Sequence, residues 1–276
     1  MTLDATDQHR RAVTFRQLHE GPTFVLPNPW DAGSARVLAQ LGFPALATTS
    51  AGLAFTLGRP DGANVVSRAE TLENVRVIAA ATPLPVAADL ESGFGDSPAE
   101  VAETIRLAAE AGAVGGSIED ATGDPADPIR PLAEAVRRVE AAVAAARSLP
   151  FPFTLAARAE NFLYGRADLP DTVERLRAYA AAGADVLYAP GLPDLDAIRS
   201  VCTAVDKPVN ALAGSAPGIT VAMLADCGVR RISLGSTLAR AAMTAFVEAA
   251  REIRESGTFG FGANLLSYSR VNALMP

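Results

Sequence analysis

Histidine, lysine and cysteine are nearly absent from this chain of 276 residues, which contains two, one and two of them respectively. Each scarcity removes a class of chemistry. His9 and His19 both precede the first segment with strand character, so an imidazole base or ligand is not expected in a site built on later loops. Lys207, the single lysine, opens a strand-like run instead of closing one, which disfavours a Schiff-base mechanism, where an amine must reach the reacting carbonyl. Cys202 and Cys227 are too few and too unpatterned for a disulfide framework or a zinc site, as suits a reducing compartment. No run approaches the roughly 20 apolar residues of a membrane span. The opening MTLDATDQHRRAVTFRQLHE is too polar for a secretory signal, so a cytoplasmic location is expected. Positive charge is also short: 24 basic against 31 acidic residues leave a net charge of -7, against a nucleic-acid partner.

What is present is an ordinary globular balance, 49% apolar and 20% charged, at a length that suits one (β/α)8 domain. Residues 1–276 read as a single domain with an N-terminal helical segment, 1–22, and a C-terminal tail, 255–276. Eight short β-rich runs fall at 23–27, 44–49, 84–88, 114–118, 152–156, 185–188, 207–210 and 229–233. Between them lie Ala-rich stretches of helical periodicity such as 99–111 and 131–147. Gly42, Gly112, Gly183 and Gly228 each stand just before a strand, where a glycine ends the preceding helix. Repeated strand, loop and helix close most simply as a TIM barrel, with an open doubly wound sheet as the alternative. Barrel enzymes carry their chemistry on the loops after the strands, which places Lys207 and both cysteines at the wrong end.

Carboxylates, arginines, hydroxyls and backbone amides remain. The third run ends in Asp89-Leu90-Glu91-Ser92-Gly93-Phe94-Gly95, where two-residue alternation sends Asp89 and Glu91 to one side. The fourth ends in Glu119-Asp120, one strand over. Such residues often cap helices or pair with arginines, but clustered like charges repel unless a cation relieves them. Oxygen-only donors on neighbouring strands favour a hard ion such as Mg2+. Arg158 and Glu160 follow the fifth run, and Arg158 can fork onto a substrate carboxylate or pair with the acidic cluster.

These residues, in this order, resemble the isocitrate lyase and phosphoenolpyruvate mutase superfamily across roughly residues 24–250. The match runs through Ser50-Ala51-Gly52, Asp61, Asp89-Leu90-Glu91-Ser92-Gly93-Phe94-Gly95, Ile118-Glu119-Asp120 and Ala157-Arg158-Ala159-Glu160. The resemblance implies a (β/α)8 barrel in which Asp89 is the main carboxylate at Mg2+, or Mn2+, with Asp61, Glu91 and Glu119 around it. It implies that Arg158 and the amides of Ser50, Ala51 and Gly52 bind the carboxylate of a pyruvate-like unit, with Trp30 and Asn210 as pocket walls. Asp61, Glu119 and Arg158 are then the catalytic candidates.

The sequence departs from the superfamily after the fourth run. There its lyases carry Lys-Lys-Cys-Gly-His and its mutases and phosphonopyruvate hydrolases a lysine, whereas this chain reads Ala121-Thr122-Gly123-Asp124-Pro125-Ala126-Asp127-Pro128. The leading expectation is therefore a Mg2+-dependent carbon-carbon lyase or decarboxylase acting on a small α-oxo or α-hydroxy dicarboxylate. The alternatives are phosphonopyruvate or phosphoenolpyruvate chemistry and a non-catalytic oxo-acid binding barrel. Gly235-Ser236-Thr237 after the last run reads as helix capping rather than a phosphate cradle. A homo-oligomer is expected, since members of the superfamily often exchange a C-terminal helix between subunits.

Overall fold

A computed structural model describes residues 4–62, 65–214 and 217–275. Eight parallel strands ring the centre: β1 (Phe24–Leu26), β2 (Leu46–Ala47), β3 (Val86–Asp89), β4 (Gly115–Glu119), β5 (Thr154–Arg158), β6 (Val186–Tyr188), β7 (Val209–Leu212) and β8 (Arg231–Ser233). Their order is β1-β8-β7-β6-β5-β4-β3-β2, so each strand neighbours the next in sequence and β1 lies against β8. That order is a barrel, and the open-sheet alternative falls. At the remaining seam Ala47 N–H donates to Pro27 O at 3.1 Å, and Asn28 Nδ2 reaches across to Thr48 O at 2.9 Å.

The helices are α1 (Ala5–Leu18), α2 (Ala32–Gln40), α3 (Ser50–Thr56), α4 (Arg68–Ala81), α5 (Pro98–Glu110), α6 (Leu132–Arg147), α7 (Leu169–Ala181), α8 (Leu195–Ala204), α9 (Val221–Asp226), α10 (Thr237–Ser256) and α11 (Tyr268–Ala273). The ranges expected for α5 and α6 agree to within a residue. Ser97 and Glu100 close a capping box on α5, satisfying amides that have no partner inside the helix. Gly42, Gly112, Gly183 and Gly228 all take positive φ, as their places at helix ends require. Five of the strands are shorter than the runs that announced them, and the other three keep their length but start one or two residues later. The seventh starts at Val209 rather than at residue 207 because Pro208 has no N–H to give to a ladder.

Along β5, Leu155 and Ala157 face the surrounding helices, while Arg158 turns inward with the alternating set. The floor of the barrel is closed by α1. Phe15 packs with Phe24, Leu26, Ala45, Ala87 and Val114, and a β-carbon at Gly115 would stand 2.7 Å from its ring. Arg11 fastens the same helix to the end of α4 through the carbonyls of Ala79 and Thr82.

His19 belongs to this floor, as its position before β1 implied. Its Nδ1 meets Phe15 O at 2.8 Å, and its ring stands edge-on to Phe15 and Phe24. Burial, assisted by the charge of Arg231, pushes its pKa down to about 3 from 6.5. The unfolded chain therefore binds a proton that the folded chain refuses, so this contribution is complete above pH 6.5 and is lost as pH falls toward 3. By pH 4.5 the loss should reach roughly 2–3 kcal/mol, at 1.36 kcal/mol per pH unit. Urea denaturation between pH 7.5 and 4.5 checks this, because a His19→Gln variant should lack that part of the slope.

Candidate active site

At the strand C-termini lies a cavity of about 170 Å³ whose walls include Ser50, Asp61, Asp89, Arg158, Tyr188 and Asn210. Arg158 organises it. Its Nη1 lies 3.2 Å from Asp89, its Nη2 3.3 Å from Glu119 and its Nε 2.8 Å from Glu160, and its guanidinium stands 5.0 Å from the Tyr188 ring centre. Burial alone would weaken its hold on its proton, but Glu160, Glu119 and Asp89 outweigh that and keep its pKa well above the usual arginine value.

The acids surrounding it show the opposite strain. Burial raises Glu119 well above its ordinary value despite the opposing charge of Arg158, and raises Glu160 too. Asp61 is raised by burial and then by Asp89, against the smaller opposing pull of the Gly62 amide, Arg158 and the Ser50 side chain. Glu91 is pushed up to about 7 by burial, then by repulsion from Asp89 and Asp61. Of the five carboxylates Asp61, Asp89, Glu91, Glu119 and Glu160, Arg158 pairs with Asp89, Glu119 and Glu160, and among the described residues Asp61 and Glu91 join no ion pair.

No three His, Cys, Asp or Glu side chains among the described residues converge as a ready ligand set. The donor chemistry nevertheless fits a hard divalent ion: every candidate is an oxygen, and the negative charge exceeds what Arg158 cancels. Asp89, Asp61, Glu91 and Glu119 are the residues that would hold it.

Glu91 comes near Asp89 by a different route from the one the sequence suggested. β3 stops at Asp89, and Glu91 sits in a left-handed turn with φ 47°, followed by Phe94 at φ 55°. Such backbone is strained for side-chain-bearing residues. Arg138 from α6 holds the turn, donating to the carbonyls of Ser92, Gly95 and Asp96 at 2.6–2.7 Å. Glu91 itself opens onto an adjoining cleft with Arg68, Thr122 and Arg130.

Ser50 and Ala51 line the cavity while Gly52 is buried behind them, where a β-carbon would come within 2.6 Å of Thr49. Two of the three amides expected to grip a carboxylate are already engaged: Ser50 N–H donates to Asp89 Oδ2 at 3.1 Å and Gly52 N–H to Thr49 Oγ1 at 3.3 Å. The cause is that α3 begins here, with Thr49 capping it. Trp30 lies off the cavity wall, with its carbonyl accepting from Asn74. Asn210 is on the wall, and its Nδ2 donates to Ser233 Oγ at 2.9 Å.

Asp120 turns away from its neighbour Glu119 and is held outside the barrel by the Tyr179 hydroxyl at 2.6 Å, Arg175 at 3.2 Å and the Glu160 amide at 2.9 Å. The segment after it folds on itself, with an isolated antiparallel bridge between Ala121 and Ile129 and Thr122 Oγ1 donating to Asp127 O at 2.6 Å. Sequence reasoning passed over Asn28, Tyr188, Ser233 and Arg231, all of which border the cavity. Arg231 carried a signal, since charge within a barrel strand at an inward position is unusual.

A parallel barrel that gathers carboxylates and an arginine at its C-terminal mouth has the layout of a barrel enzyme, whose chemistry sits on the loops after the strands. Residues 15–254 match the phosphoenolpyruvate phosphomutase family, and the chain belongs to that family, within the isocitrate lyase and phosphoenolpyruvate mutase superfamily. It is 32% identical to an oxaloacetate decarboxylase of Bradyrhizobium diazoefficiens, over 75% of this chain and 72% of the relative. A provisionally assigned lyase/mutase of Burkholderia cenocepacia J2315 is 55% identical, superposes with a TM-score of 0.94, and is matched over 98% of this chain and 96% of its own. A phosphonopyruvate hydrolase in complex with oxalate and Mg2+ superposes with a TM-score of 0.85 at 26% identity, over 96% of this chain and 94% of its own. Among the described residues no helix is long and apolar enough to cross a membrane.

Proposed function

We propose that this protein is a divalent-metal-dependent carbon-carbon lyase or decarboxylase acting on a small α-oxo or α-hydroxy dicarboxylate, with Mg2+ as the natural ion and Mn2+ as a substitute. The observation that carries the reading is the gathering of five carboxylates at the mouth, of which Arg158 pairs with three and leaves Asp61 and Glu91 without an ion pair among the described residues. When bound, such an ion supplies Lewis-acid stabilisation of the negative charge that develops on an oxo oxygen. Asp89 is its main protein ligand, and Asp61, Glu91 and Glu119 hold its surroundings.

Arg158 provides fixed positive charge at the wall, pre-oriented by Glu160 and the Tyr188 face, and directs one substrate carboxylate. Asp61, which lines the cavity with Ser50, is the side chain placed to hold or move a proton at the mouth. Calorimetry should show Mg2+ binding followed by oxaloacetate or 2-oxoglutarate binding, and oxaloacetate should be consumed only when the ion is present. Purified protein that binds neither the ion nor either acid would overturn the reading. Turnover of phosphonopyruvate seen by phosphorus NMR would transfer it to the mutase and hydrolase branch.

The proposal extends to a cytoplasmic homo-oligomer. Both cysteines are free, and α10 exposes Met243, Phe246, Val247 and Ile253, which no element among the described residues covers.

A further inference from the structure

Arg231 is a buried arginine whose terminal nitrogens find neither an acid nor a carbonyl among the described residues. It is 5% exposed, and its Nε donates to Asn210 Oδ1 at 2.8 Å. Asn210 is in turn fixed by Ser233, so the near edge of the guanidinium is held in place. Among the described residues its two terminal nitrogens meet no acceptor and it enters no ion pair. The other buried arginines differ. Arg158 and Arg175 lie on carboxylates, Arg130 on Glu134, Arg11 on Asp7 and three carbonyls, and Arg138 on three carbonyls.

Leaving a guanidinium desolvated and unpaired is costly, so a fold that does so commonly keeps it for a ligand. Burial, with some help from the charge of Arg158, draws its pKa down to about 10, which still leaves it charged at neutral pH. Arg231 stands on the wall of the cavity that holds Asp61 and Asp89, and small residues, Ala47, Ala87, Gly116 and Ser117, leave that space open. The cavity is therefore bipolar. Acids gather on the loops after β2 to β5, and an unspent cation sits on β8.

We propose that Arg231 is a second anion subsite, which takes the carboxylate arm of a small dianionic acid whose other end faces the acidic cluster. This rests on the oxo-acid reading above and adds to it a residue that selects dicarboxylates over monocarboxylates. Arg231 touches the arm that does not react, so it acts on specificity and leaves the acidic cluster and its ion untouched.

The test is calorimetric titration of the full chain with malonate, 2-oxoglutarate and pyruvate, each with Mg2+ and with EDTA, for the wild type, Arg231→Met and Arg231→Lys. The wild type should prefer the two dicarboxylates to pyruvate by at least about tenfold, the scale of one charge-assisted pair. Arg231→Met should abolish that preference while binding Mg2+ and pyruvate as the wild type does, and Arg231→Lys should restore part of it. A preference that survives in Arg231→Met overturns the proposal, as does a parallel loss of pyruvate affinity, which marks a purely structural role. Should Arg231→Met fail to fold, the wild-type ratio and Arg231→Lys decide the matter: equal affinity for mono- and dicarboxylates, or unchanged selectivity with lysine, rejects it. Equal affinity with Mg2+ still bound removes the Arg231 subsite alone. Absence of both ion and acid binding removes the oxo-acid reading and the subsite with it.

Discussion

Asp89→Ala should abolish metal-dependent turnover, by roughly 10³-fold or more, while leaving the barrel folded. Asp89 stands at the end of β3, and its carboxylate accepts from the Ser50 amide and from Arg158 at once, so it joins three strands' loops at the mouth. Losing it takes away the central ligand and frees one arm of Arg158, which Glu119 and Glu160 still hold. The fold should survive because the side chain is at the cavity edge and contributes nothing to the apolar clusters behind β3. Oxaloacetate consumption and Mg2+ calorimetry on the same preparation check both halves. Full activity with Mg2+ binding retained would remove Asp89 from the site.

The second large effect belongs to Arg158→Met, which should cost about 3–5 kcal/mol of stability, because Glu119, Glu160 and Asp89 lose their common counter-charge in a dry setting. For a chain of this size that is a fall of roughly 10 °C in melting temperature. The sign of its pH dependence is distinctive. Burial already raises Glu119 and Glu160 above their unfolded values, and without Arg158 nothing opposes that rise. A folded pKa above the unfolded one means the native form takes up protons as pH falls, so the variant should regain stability between pH 7 and 5 and approach the wild type. Thermal melts across that range read the gap, and a gap that widens toward acid would contradict the account.

Much of this architecture is legible in the residues because two signals repeat without conflict. A glycine that only a helix end requires precedes several strands, and short β-rich runs recur where a strand must bury both faces. Asp89, Glu119 and Arg158 were legible for a related reason: charged residues at the ends of strands otherwise composed of small and apolar residues have few places to go except the mouth. What was hidden is partner choice. Nothing in the spacing tells that Arg158 bonds Glu119 and Glu160 as well as Asp89, or that Asp120 pairs outward with Tyr179, although its parity next to Glu119 hinted at the second. Glu91 could not be placed by alternation, because a left-handed turn intervenes and Arg138, far away in sequence, holds it. The amides of Ser50 and Gly52 looked available only because the start of α3 was unforeseen. Arg231 illustrates the general limit, since the absence of a partner is a property of three-dimensional surroundings and leaves no trace in a string of letters.

The cork formed by α1 gives the N-terminus a role out of proportion to its distance from the mouth. Phe15 seats against the flat backbone at Gly115, and His19 lies close enough to Arg231 for the guanidinium's charge to help keep its ring neutral. A chain trimmed to begin at β1 would keep every mouth residue and still be a different molecule. Solvent could rise through its base, drown the lone cation under bulk dielectric, and turn a sealed cup into a leaking tube.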